Sequence, residues 1–123
     1  MVTVPAFILR RLYVRGSLRN ISEGFEFSLC NRLGAGHARS LLPITVNGEP
    51  AGTDQCYFYT GEVRHRFDEV THHTPFSLAL NRTTKIVVEG QTLAPGRQTI
   101  GMGFEVPGLG TLKFDFSDVV QDE

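Results

Sequence analysis

Tryptophan is absent from this chain, cysteine occurs only twice, and charge of neither sign is in excess: 12 lysines and arginines face 13 aspartates and glutamates, for a formal net charge of -1. Each shortage excludes something. Balanced charge removes the electrostatic reason to expect nucleic acid or an anionic membrane as a partner. Cys30 and Cys56 stand in neither a CxxC pair nor a zinc-ligand spacing, so each reads as a small strand residue kept as a free thiol. Long apolar runs are missing too. Near the start only Ala6, Phe7, Ile8 and Leu9 precede Arg10 and Arg11. That is too short for a secretory or membrane-spanning stretch, and the expected address is the cytoplasm. The chain also lacks low-complexity segments and internal repeats.

Catalytic signatures are equally scarce. No Ser-His-Asp signature, nucleophile elbow or catalytic carboxylate pair stands out, and there is no HxH with a spaced Glu of the cupin kind. Its glycine-bearing stretch Leu33-Gly34-Ala35-Gly36 lacks the GxGxxG spacing of a phosphate loop.

Turn and strand residues, by contrast, are plentiful. Nine Phe, 13 Gly and 6 Pro in 123 residues suit one domain of many short strands joined by tight turns. The clearest stretch is 91–120. Ile100, Met102, Phe104 and Val106 alternate with Thr99, Gly101, Gly103 and Glu105; past Pro107-Gly108-Leu109-Gly110, Leu112, Phe114 and Phe116 alternate with Thr111, Lys113, Asp115 and Ser117. A period of two on both arms predicts an antiparallel hairpin with one covered face. Two such faces packed together make an all-β antiparallel sandwich, or a jelly-roll, of about eight or nine short strands.

The rest of the chain supplies the other strands. Leu12, Val14, Gly16 and Leu18 alternate, which predicts a strand over 7–19, with a short helix over 6–14 as the competing reading. Phe25, Phe27 and Leu29 form its hairpin partner across an Asn20 to Gly24 turn. A strand is expected over 42–46, then a type I′ turn at Asn47-Gly48, then a strand over 55–60. Phe76, Leu78 and Leu80, and then Thr84, Ile86 and Val88, give two strands flanking an 81–83 turn. Residues 118–123 read as an acidic end that frays.

Candidate functional residues lie mostly in presumed loops. His37 and Arg39 sit near the tip of a mobile 33–40 segment that could reach a partner or substrate. Residues 63–74, VRHRFDEVTHHT, carry His65, His72 and His73 and read as a solvated loop. Neighbouring histidines point to opposite faces of a strand, so the spacing demands no metal. Tyr57 and Tyr59 share the outward face of their strand, as cross-strand packing or as a contact platform for another subunit.

Several landmarks stand in a recognisable order: Arg10-Arg11-Leu12-Tyr13-Val14-Arg15-Gly16-Ser17-Leu18, Phe25-Glu26-Phe27-Ser28-Leu29, Ile44-Thr45-Val46-Asn47-Gly48-Glu49, Leu93-Ala94-Pro95-Gly96-Arg97, and Phe114-Asp115-Phe116. This layout resembles the small β-subunits of bacterial C-glycoside deglycosidases. The resemblance implies a hetero-oligomer with a larger barrel-type α-subunit that holds a divalent metal, manganese, together with the acid-base residues. It further implies cleavage of the C–C bond between a 3-oxo sugar and a polyphenol aglycone, with this chain completing the site and binding no cofactor itself. Two other readings compete with it: a stand-alone binding module for carbohydrate or protein, and an independent metalloenzyme built on the histidines.

Overall fold

The computed structural model describes residues 4–121, and they form an all-β, antiparallel architecture of twelve strands in three sheets. The strands are β1 (Arg19–Ile21), β2 (Gly24–Cys30), β3 (Gly36–Ala38), β4 (Ser40–Leu41), β5 (Thr45–Val46), β6 (Glu49–Pro50), β7 (Cys56–Thr60), β8 (Val63–Arg66), β9 (Phe76–Leu78), β10 (Thr83–Glu89), β11 (Arg97–Val106) and β12 (Gly110–Val119). One five-stranded sheet runs β1-β2-β10-β7-β8; a second runs β12-β11-β5-β6, with β4 also paired to β11; β3 and β9 form a separate ribbon.

Alternation explains which faces meet. In β2, Phe25, Phe27 and Leu29 are fully buried, and they pair in register with Val88, Ile86 and Thr84 of β10. In the second sheet Ile100, Met102 and Phe104 lie opposite Phe116, Phe114 and Leu112, and all six are buried. These two apolar faces pack on each other as one cluster. Phe27 meets Phe116 edge-on across the layers at 5.2 Å between ring centroids. Each fully buried side chain of this size contributes about 1.5–3 kcal/mol, so the interlayer phenylalanines are the main stabilising element. The edges are also joined: Arg19 bridges Gln121 in parallel, and the Gln121 amide donates to the Leu18 carbonyl at 2.9 Å.

Several expectations need correction. Residues 7–19 are not a strand. Ala6–Leu9 form an α-helical turn, α1, continued by a 3-10 turn at Arg10–Leu12. The Pro5 carbonyl accepts from the Ile8 and Leu9 amides, and burial of Leu9 and Leu12 three positions apart favours the helical period. Continuous pairing over 42–46 fails at Pro43, which has no amide to donate. Leu42 bonds to Gly103, and Thr45–Val46 pair with β11 separately. The 33–40 segment is no mobile loop, since it contributes β3 and β4. Nor is 63–74 all loop, because Val63–Arg66 join the first sheet and Phe67 is buried. The two strands expected on either side of residues 81–83 do form, but they do not pair with each other: β9 crosses to β3, while β10 lies between β2 and β7. Dividing long stretches into two- and three-residue strands raises the count above nine. The end does not fray as far as Gln121; residues 122 and 123 lie outside the described ones. The Asn47-Gly48 turn has positive φ at both positions, 50° and 90°, as a type I′ turn requires.

Gly24 sits where β1, β2 and β10 meet. A Cβ there would lie 1.9 Å from the Val88 carbonyl oxygen, whereas one at Gly61 would meet nothing within 4 Å. Gly24→Ala should therefore destabilise the domain by about 3 kcal/mol, the upper range for forcing atoms into a packed site. Equilibrium urea unfolding checks this, and a midpoint unchanged from that of the parent would show that the β2–β10 register is not as close as described.

Candidate functional site

The segment from Val4 to Arg15 lies across one end of the sandwich, and two of the openings it lines differ sharply in chemistry. Tyr13 fixes that segment. Its ring stacks on Phe116 with centroids 3.6 Å apart and planes 9° from parallel, and it meets Phe27 edge-on at 6.3 Å. Its hydroxyl donates to Asp118 Oδ2 at 2.7 Å and accepts the Leu18 amide at 3.2 Å. The same carboxylate oxygen accepts the Gly16 amide at 2.8 Å, where φ of +85° turns the chain away from the helical segment. Burial, and then the hydrogen bond to Asp118, push the Tyr13 phenol up to about 12. Burial would also raise the Asp118 carboxyl, but the Tyr13 hydroxyl, the Gly16 and Val119 amides and the charge of Arg97 outweigh it and hold the group below its ordinary value.

With the segment so held, Ile8, Leu9 and Leu12 face inward over a cavity of about 390 Å³. Ala38, Phe76 and Leu78 of the β3–β9 ribbon form a second wall, and Phe104, Leu109 and Leu112 of the closing hairpin form a third. Asn31 holds the rim. Its Nδ2 donates to the Gly34 carbonyl at 2.7 Å and to the Leu78 carbonyl at 2.9 Å, while its Oδ1 accepts the amides of Leu33 and Gly34. The amide is therefore fully used in holding the loop to the ribbon. Among the described residues no buried side-chain nitrogen or oxygen lacks a partner. What the cavity offers chemically is apolar surface in a volume typical of binding sites.

The expected site residues separate in space. His37 borders this cavity, but it pairs with Ser77 on the face opposite Gly36 and Ala38, so strand alternation turns its ring outward. Arg39 is engaged by Glu105, with its Nε 3.1 Å from Oε1 and its Nη2 on the same oxygen. His65 stacks on Phe58 at 5.0 Å. His72 and His73 lie against each other at 3.9 Å in an exposed turn closed by Thr71 and Thr74. Among the described residues no three His, Cys, Asp or Glu side chains are grouped to hold a metal ion. Tyr57 and Tyr59 do share an outward face, yet each carries a cation of the same sheet: Arg64 lies 4.0 Å from the Tyr57 centroid and Lys85 5.1 Å from that of Tyr59. Cys56 is an inert thiol. Burial, with the charge of Asp54, pushes it up to about 11, and its Sγ donates to the Gly52 carbonyl.

Comparison with protein families matches residues 8–121 to the hydroxymethylglutaryl-CoA reductase N-terminal domain. The chain belongs to that family. The match runs from Ile8 in the helical turn to Gln121 beside β1, and so takes in the lining of both openings apart from Val4 and Phe7. No curated protein matches the chain. Membership of the reductase N-terminal domain family overturns the assignment to C-glycoside deglycosidase β-subunits, and with it the lyase activity. The landmarks behind that assignment were a type I′ turn, alternating strands and a closing hairpin, which antiparallel geometry imposes on unrelated sandwiches. The manganese-bearing partner rested on the same resemblance alone. Among the described residues no helix is long and apolar enough to cross a membrane.

Sequence reasoning missed Ile8, Leu9 and Leu12 as cavity residues because a strand reading sends neighbours to opposite faces. Pro5 ahead of apolar residues at helical spacing was the available signal.

The Tyr13–Asp118 bond sets two pH limits. The depressed Asp118 carboxyl stabilises the fold above the unfolded carboxylate value of about 3.9, and this contribution is lost as pH falls through the lower folded value. The raised Tyr13 phenol stabilises below 10.0, a contribution lost as pH rises toward about 12. Thermal unfolding across pH should show Asp118→Asn flattening the acid limb and Tyr13→Phe flattening the alkaline one. Limbs of unchanged slope would contradict both assignments.

Proposed function

We propose that this domain is a non-catalytic module of a hydroxymethylglutaryl-CoA-reducing enzyme, and that its apolar cavity seats apolar side chains of a larger polypeptide on which the reduction takes place. Membership of the reductase N-terminal domain family supports the choice of reaction. The observation that carries the docking role is the cavity itself: apolar walls, a rim fixed by Asn31, and apolar surface that continues outward to Leu33, which is 40% exposed. Apolar surface spreading from a pocket onto the exterior favours a macromolecular occupant over an enclosed small molecule. Each seated Leu-sized side chain would contribute about 1.5–3 kcal/mol.

Gly36 provides the test. It pairs with Leu78 on the cavity-facing side of β3, and a Cβ there would meet nothing within 4 Å. Gly36→Val should fill the mouth without strain, weakening association with the co-expressed larger chain at least about tenfold while leaving the melting temperature in place. The chain alone should not oxidise reduced nicotinamide in the presence of hydroxymethylglutaryl-CoA. Turnover by the isolated chain, or undiminished association of the variant, would overturn the reading.

A further inference from the structure

The second opening differs from the first in chemistry. Between the amino-terminal segment and the end of β12 lies a cleft of about 460 Å³ lined by Phe7, Arg10, Arg11, Arg15 and Arg97, with Asp118 as its one lining carboxylate. Four of the chain's 12 basic residues converge there, although the whole chain carries a net charge of -1. Such convergence costs self-repulsion, and internal partners relieve only part of it.

Arg10 Nε donates to the Asp115 carbonyl at 2.6 Å, and its Nη2 lies 3.4 Å from Asp115 Oδ1. Arg97 Nη1 donates to the Ser117 carbonyl at 3.1 Å. Asp118 is occupied on both oxygens, by the Tyr13 hydroxyl and Gly16 amide on one and by the Val119 amide on the other. Among the described residues Arg11 and Arg15 take part in no ion pair. Both are exposed, so their guanidinium groups remain available to an incoming anion.

A guanidinium presents a planar fork of donors that matches phosphate oxygens two at a time. A lone carboxylate would engage one such fork, whereas several arginines around a cleft of ligand size suit a multiply charged anion. Phe7 at the rim is 63% exposed and offers a ring face to whatever carries the charge. We propose that this cleft binds a phosphate-bearing small molecule, with Arg11 and Arg15 holding the phosphate and Phe7 packing against the remainder.

Calorimetric titration of the full chain at fixed ionic strength tests the assignment, with inorganic pyrophosphate as probe and citrate as the carboxylate of comparable charge. Pyrophosphate should bind saturably at one site and more tightly than citrate. Arg11→Gln and Arg15→Gln should each weaken it at least about tenfold, the loss expected for a charge-assisted contact. Neither change should move the melting temperature, because both side chains are exposed. Absence of saturable binding, equal or tighter binding of citrate, or undiminished binding in the double variant would overturn the proposal.

Discussion

Tyr13 lies flat on Phe116 and donates its hydroxyl to Asp118, and through this contact the amino-terminal segment is held on the end of the sandwich. The partners are 105 residues apart for the hydrogen bond, so it joins the two ends of the described chain. Its ingredients reinforce one another. Stacking removes the phenol from water, burial makes an unpaired hydroxyl costly, and the carboxylate supplies an acceptor that the Gly16 and Val119 amides keep ionised. Besides the latch, the helical turn is held by the burial of Leu9 and Leu12, whereas exposed pairs such as Arg10 with Asp115 stabilise little.

Both openings depend on this placement. One side of the segment presents Ile8, Leu9 and Leu12 to the apolar cavity, while Phe7, Arg10 and Arg11 line the charged cleft. A single short element thereby separates two kinds of recognition: removal of apolar area from water on one side, and charge on the other. The two sheets behind it act as a rigid scaffold, closed by the Phe27–Phe116 contact and by the Arg19–Gln121 bridge.

The sandwich was legible in the sequence because its signal is local. Phe25, Phe27 and Leu29, and the ten paired positions of β11 and β12, alternate with a period that one face of burial enforces. What escaped was decided at longer range. β9 leaves its sequence neighbour β10 to pair with β3, and nothing in Asn81 to Thr83 announces that crossing. Residues 7–12 satisfy strand and helix periods equally, and packing of Leu9 and Leu12 on the hairpin settles the matter. The histidines drew attention as reactive groups, yet His65 serves as a stacking partner for Phe58 and His37 turns outward. Arg11, Arg15 and Arg97 are far apart or unremarkable in sequence, and only folding gathers them. The family assignment likewise lay beyond strand and turn patterns, which many sandwiches share.

The latch is the claim on which the account rests, and a double-mutant cycle between Tyr13→Phe and Asp118→Asn measures it most directly. Denaturant unfolding of the parent, both single variants and the double variant should give a coupling energy of about 1 kcal/mol or more, as a charge-assisted hydrogen bond between half-buried partners requires. Effects that add to within about 0.3 kcal/mol would show that the two groups do not act together and would contradict the account.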